Sequence, residues 1–192
     1  DAIEIAAINQ KNGFFNAHEH VDVPTHNETI YNKNFLKIEH RLGFVLEQCE
    51  RVCTAVSKVL GQNRFPLILS GDHSSAFGSL AGIQKAAPEK TLGVIWIDAH
   101  ADIYTPESSP SKNFHRMPIR MLLGEGNENI LELLFSTLRH DQFCYLGLRD
   151  VDEAEEKFIE THNIERHDEC KFEVLQNFIK VFENSYIHLD LD

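Results

Sequence analysis

Basic residues are scarce in this chain. Eighteen Lys and Arg stand against thirty Asp and Glu, a formal net charge of −12. Non-specific nucleic-acid binding needs a basic face, so that class of function is not expected. Long apolar runs are also missing. No stretch approaches the roughly 18 residues of a membrane-spanning helix, so no membrane partner is expected. The opening residues DAIEIAAINQ have no basic segment ahead of an apolar one, and no signal peptide is read there. Cysteine is limited to Cys49, Cys53, Cys144 and Cys170. Cys49 and Cys53 lie four apart in a helical pattern, which suits one buried helix face better than a disulfide or a ligand pair. Free thiols suit a reducing compartment, so a cytoplasmic location is expected. Internal repeats, low-complexity tracts and clear linkers are all lacking.

What remains is an ordinary globular composition, 192 residues with 42% hydrophobic and 25% charged side chains. That is enough for one domain with a substantial core. Residues 1–34 are the least regular. Apolar residues at Phe35, Ile38, Leu42, Val45, Leu46, Cys49, Val52, Cys53, Val56 and Leu60 form a helical stripe, with Gly61 as a plausible C-cap. FPLILSGDH reads as a buried strand entering a loop, and SSAFGSLAGIQKA as a helix capped by Ser74 or Ser75. LGVIWID and FCYLGLR read as further buried strands. DEAEEKFIETH and FEVLQNFIKVFEN read as helices, and SYIHLDLD as a fourth strand. Buried strands alternating with helices predict an α/β fold, a three-layer α/β/α sandwich around a mainly parallel sheet.

In open α/β sheets, ligands bind beyond the C-terminal ends of the strands. The chemistry-bearing residues lie there: His73, Asp98, Asp150, then Asp190 and Asp192. In WIDAHAD, extended backbone would point Asp98, His100 and Asp102 to one face, although a solvated edge or a helix cap would also use such residues. Asp190 and Asp192 share the same spacing. Close carboxylates repel unless a cation or proton lies between them, but acids at the end of a chain are easily solvated. His73 alone reads equally as a satisfied structural imidazole. Together the six supply two imidazoles and four carboxylates, more than one ion requires. Oxygen-rich ligation with two nitrogens favours two Mn²⁺ over structural zinc. Ions roughly 3.5–4 Å apart can bring a water near neutrality in pKa.

SGDHSSAFGSL, GVIWIDAHADIYTPESSPSKNFHRMP, YLGLRDVDEAE and HLDLD resemble, in order and spacing, four successive motifs of the arginase, or ureohydrolase, family, across residues 66–192. The resemblance implies that one manganese is held by His73, Asp98, Asp102 and Asp190, and the other by Asp98, His100, Asp190 and Asp192. Asp98 and Asp190 would bridge. Asp192 would also pass a proton towards the leaving amine, and His115 matches a proton-shuttle histidine. In the arginase branch, Ser111 and Asn113 match positions that read the substrate's α-carboxylate, and Asp152 matches one that reads its α-amino group. Asp150, Asp152 and Glu155 also read simply as acids complementing a helix N-terminus.

The implied activity is metal-dependent hydrolysis of a linear amidine, with arginine cleaved to ornithine and urea. Agmatine, formimidoylglutamate or another guanidino acid is the alternative small-molecule substrate, and an inactive structural relative is a third reading. A homo-oligomer is expected. The chain departs from the arginase pattern at Ser70, at Tyr104 where an Asn is usual, and at Lys112 and Arg116 where glycines are usual. Lys112 or Arg116 is expected to help bind a substrate carboxylate, unless both point into solvent and only balance the acidic surface. Family members continue beyond the HLDLD strand with further elements and a Glu that holds the guanidinium, so the resemblance implies a single ureohydrolase-like domain over 1–192 that is incomplete after residue 192.

Overall fold

The computed structural model describes residues 2–25 and 38–191. Two short helices come first, α1 (Ala2–Asn9) and α2 (Phe14–Ala17). The apolar stripe forms α3 (Ile38–Gly61), and its buried face carries Cys49, Val52, Cys53 and Val56. Phe35 lies outside the described residues. Both cysteines are free, as expected of a packing face.

α3 packs on α4 (Ser74–Ala86). The contact is close because α4 offers Gly78 and Gly82 there. A Cβ on Gly78 would come within 2.7 Å of the Cys49 carbonyl oxygen, and one on Gly82 within 2.8 Å of that of Cys53. Neither serine caps α4. His73 occupies the N-cap position without a side-chain cap, and the Asp72 carboxylate accepts the Ser74 N–H at 2.7 Å instead.

The sheet is parallel, with strands β1 (Leu92–Ile97), β2 (Phe143–Leu146), β3 (Glu165–His167) and β4 (Asn184–Leu189) in the order β3-β2-β1-β4. Period-2 alternation divides β1 between two cores. Leu92, Val94 and Trp96 join Phe143 and Tyr145 against α3, α4, α5 (Pro118–Leu122) and α7 (Glu153–Thr161). Ile95 joins Cys144, Leu146 and Phe178 on the other face, beneath α8 (Phe172–Ile179). A short α6 (Glu128–Leu131) precedes β2. This is the expected three-layer arrangement, with far more helix on one face than on the other.

One expected strand does not form. Residues 64–70 are irregular, and Phe65, Leu67 and Leu69 are exposed. β1 pairs with β2 and β4, and residues 64–70 add to neither outer strand of the sheet, β3 or β4. The unexpected strand is β3. Its sequence Glu165-Arg166-His167 is polar because it lies at the sheet edge.

Candidate metal and substrate site

Sheet hydrogen bonding continues past the strand ends and fixes the turn after β1. The Asp98 N–H donates to the Leu146 carbonyl, and the Asp190 N–H to that of Ile97. Arg149 and Asp150 both donate to the Ala99 carbonyl, the Tyr145 hydroxyl donates to that of Ala101, and the Ile119 N–H to that of Asp102. Asp102 has φ of 49°, a left-handed conformation that Asp tolerates better than most residues. Its buried carboxylate meets His73, three residues after the 64–70 segment.

His73 lies among three carboxylates. Its Nδ1 is 2.5 Å from Asp102 Oδ2 and 3.5 Å from Asp98 Oδ2, and its Nε2 is 2.7 Å from Asp190 Oδ2. The hydrogen bond to Asp102 is the largest influence on the imidazole. With the charges of Asp102, Asp98 and Asp190 it outweighs burial and raises the pKa to about 9. Asp98 is buried, and desolvation raises its pKa, with Asp102 and Asp190 adding repulsion. Its oxygens accept from the His100 N–H at 2.8 Å and the Trp96 indole N–H at 3.2 Å. Desolvation also acts on Asp190, but the Leu191 N–H and the His73 imidazole outweigh it and lower the pKa. His100 bridges outward, with Nδ1 3.3 Å from Asp98 and Nε2 3.3 Å from Asp150.

Five of the six expected ligands, His73, Asp98, His100, Asp102 and Asp190, are thus brought together. Asp192, expected both as a ligand and as a proton carrier, lies outside the described residues. The donor set passes a chemical test for a cation. Carboxylates that hold a proton on an imidazole at neutral pH would hold a divalent ion in its place.

A further imidazole points to the same position. His188 lies opposite Trp96 in the β1–β4 register and stacks on its indole, with centroids 3.7 Å apart and planes at 11°. Its Nε2 is buried without a hydrogen-bond partner and lies 3.7 Å from Asp98 Oδ2, too far for a hydrogen bond. Burial foremost, with His73 nearby, lowers its pKa to about 4. The contact with Asp98 is therefore between a neutral ring and a carboxylate, not an ion pair. His73, Asp98 and His188 form a group whose ligand atoms all lie within 4.8 Å of one another. The sequence reading missed His188, although it is two residues before Asp190 and so shares its strand face.

An open cleft of about 350 Å³ lies over this cluster, lined by His73, His100, Asp102, Ser111, Asn113, His115, Arg116 and Asp190. The loop carrying the middle of that set holds itself. Ser109 accepts the Lys112 N–H, and Ser111 accepts that of Asn113. Lys112 is not a cleft residue. Its ammonium donates to the carbonyls of Pro106 at 2.6 Å and Glu107 at 2.9 Å. Of the two cations, Lys112 is thus the less placed to meet a substrate carboxylate, because those bonds turn its charge back into its own loop. Arg116 does line the cleft, and its guanidinium lies 5.5 Å from the Tyr104 ring centroid. His115 Nδ1 is 3.3 Å from the Asp72 carboxylate.

Asp152 is the N-cap of α7. One oxygen accepts from the Ala154 and Glu155 N–H groups at 2.9 Å each, and the other accepts the Tyr104 hydroxyl. These bonds outweigh desolvation and lower its pKa. Asp152 is not among the residues lining the cleft. Glu155, which completes the capping box, is buried, and desolvation raises its pKa to about 7.

Comparison with known proteins follows the same lines. The Arginase family profile matches residues 2–192. An arginase of Staphylococcus aureus (strain MRSA252) is 39% identical over 157 residues, which cover 77% of this chain and 51% of that protein. An arginase of Bacillus subtilis (strain 168) is 37% identical over 182 residues, covering 89% and 60%. The crystal structure of Entamoeba histolytica arginase in complex with L-ornithine superposes with a TM-score of 0.71 at 27% identity, over 76% of this chain and 53% of that one. The chain spans about half the length of the curated relatives it matches.

Proposed function

The chain belongs to the arginase family, and from that premise we propose that the cleft is the two-manganese site of a hydrolase that cleaves arginine to ornithine and urea. The observation that carries this reading is the convergence of His73, Asp98, His100, Asp102 and Asp190 on one point, with the unpartnered His188 Nε2 beside them. One ion would be held by His73, Asp98, Asp102 and Asp190, the other by Asp98, His100, Asp190 and Asp192. Two divalent ions held by these residues would supply Lewis acidity, enough to bring the pKa of a water towards neutrality.

The protein's own groups supply the rest. Trp96 and the His100 N–H fix both Asp98 oxygens, so the bridging carboxylate is oriented before any ion arrives. Asp150 steadies the outer nitrogen of His100. His115, oriented by Asp72 at the mouth of the cleft, carries a proton to the departing amine, a task shared with Asp192. Ser111, Asn113 and Arg116 face the cleft and recognise a carboxylate, while Asp152, outside the cleft lining and engaged by Tyr104 and the start of α7, would read an α-amino group only if that end of the substrate reached beyond the cleft. The L-ornithine bound to the Entamoeba relative carries both an α-carboxylate and an α-amino group. Agmatine lacks the carboxylate, so Arg116 would gain no partner and would repel a dication.

The test is urea release by the manganese-loaded full-length protein from arginine, agmatine and guanidinobutyrate, with glutamate release measured from formimidoylglutamate. Arginine is expected to lead. A preference for agmatine overturns the substrate assignment, and no turnover of any of the four overturns the enzymatic reading.

A further inference from the structure

A second cluster of metal-binding character lies away from the cleft, at the opposite sheet edge. Cys144 and Glu165 are direct partners in the β2–β3 register, and His167 is two residues beyond Glu165. Strand alternation therefore puts all three side chains on the face that α8 covers. The Cys144 sulfur, a Glu165 carboxylate oxygen and a His167 ring nitrogen all lie within 4.8 Å of one another. Glu165 Oε1 and His167 Nε2 are already 2.9 Å apart. Tetrahedral zinc, with bonds of about 2.0–2.3 Å, sets its ligand atoms roughly 3.3–3.6 Å from each other. The side chains of Glu165 and His167 would need to move by about an ångström, and both are on the exposed side of the edge.

We propose that Cys144, Glu165 and His167 form a binding site for a soft divalent cation, Zn²⁺ by preference. A thiolate, an imidazole and a carboxylate together select zinc over the hard cations that suit an all-oxygen site. Cys170 is a further soft donor. It is free, exposed, three residues after His167, and close enough for its charge to act on Cys144. With Cys170 or a water in the fourth position the coordination is complete.

A buried thiol otherwise has little to do here. Desolvation, the largest influence, holds the Cys144 pKa at about 12, so the free thiol is inert at neutral pH. A cation would displace that proton to solvent as the sulfur–metal bond forms. The mechanical consequence is local. β3 is only three residues long and pairs with β2 alone, and an ion joining Cys144 to Glu165 and His167 would tie the edge strand to its neighbour.

The proposal does not depend on the cleft's function, and the test separates the two. Co²⁺ is titrated into the full-length protein, and sulfur-to-cobalt charge transfer is followed in the near ultraviolet. The proposed ligands in the cleft are all nitrogen and oxygen, so that band reports only a thiolate site. The expected result is a saturable band that disappears in Cys144→Ala, falls at least tenfold in apparent affinity in His167→Gln and Glu165→Gln, and persists in Asp98→Asn. The Gln variants change exposed side chains, so they remain informative if Cys144→Ala fails to fold. No band in the wild type overturns the proposal, as does a band that survives Cys144→Ala or is indifferent to both Gln variants. Such results would leave an ordinary buried thiol beside a surface Glu–His pair.

Discussion

The turn at 98–102 and the loop at 105–116 face the same cleft but are held in opposite ways. The turn is anchored to other elements, through Leu146, Tyr145 and Ile119, and Asp98 and Asp102 are buried. The loop is anchored mostly to itself, through Thr105–Ser108, Ser109–Lys112 and the Lys112 ammonium. Groups that must share a charge at fixed distances are built on the sheet, where backbone pairing sets their positions. Groups proposed to read a substrate's far end sit on a segment held mostly by its own hydrogen bonds. Damage to the turn should therefore abolish chemistry, and damage to the loop should shift selectivity.

The largest break in that contrast is expected from Asp98→Asn. The amide keeps the shape but loses the charge at the centre of the cluster. Loss of at least one ion and a fall in kcat/KM of at least 100-fold are predicted, a cost of about 2.7 kcal/mol. Steady-state kinetics and metal content of the dialysed variant check it, with circular dichroism to confirm the fold.

Glu155→Gln probes the floor beneath the turn, since Glu155 accepts from the Ile103 N–H. Desolvation raises the folded pKa to about 7 from the ordinary 4.5 of a free glutamate. The native state thus favours the protonated acid. That stabilisation is complete below the unfolded pKa and is lost as pH rises through the folded one. Unfolding free energy in chelator should decline between about pH 4.5 and 7, by an amount on the order of 2 kcal/mol. The Gln variant should lack most of that decline in urea titrations at a series of pH values.

His188→Phe keeps a ring against Trp96 and removes the unpartnered nitrogen. A roughly tenfold loss of manganese affinity with little change in Tm is predicted, within the range seen when groups supporting metal ligands are altered. Isothermal titration would measure it. Unchanged affinity would make His188 a packing residue only.

The loop supplies the smallest effects. Arg116→Ala should raise KM for arginine by about tenfold, the size of one charge-assisted hydrogen bond, with kcat nearly unchanged. Lys112→Ala should leave both constants within about twofold, because its ammonium is engaged by Pro106 and Glu107. If Lys112→Ala had the larger effect, the two cations would have exchanged roles in the active protein.

Much of this was legible in the sequence, and unevenly so. β1, β2 and β4 were readable because strands buried on both faces are continuous apolar runs. The strand expected near residue 67 had the same look, but a strand also needs a pairing partner, and one-dimensional patterning does not show whether a segment joins an open edge such as that of β4. β3 was unreadable for the opposite reason, since an edge strand of Glu, Arg and His carries no apolar signal. The convergence of Asp98 and Asp190 followed from strand ends meeting at one edge, whereas His73 reaches them from an irregular segment. His188 escaped notice because an imidazole inside an apolar strand gives no sign of its partner until register sets it against Trp96. Likewise, nothing in the sequence separates Lys112 from Arg116, and only the loop's own carbonyls do so.

The most direct test of the account is the manganese content of the purified full-length protein, measured by mass spectrometry after loading and exhaustive dialysis, in the wild type and in Asp98→Asn. The account predicts two ions per chain in the wild type and one or none in the variant. A folded wild-type protein that retains no manganese, or a variant that retains as much as the wild type, would contradict it.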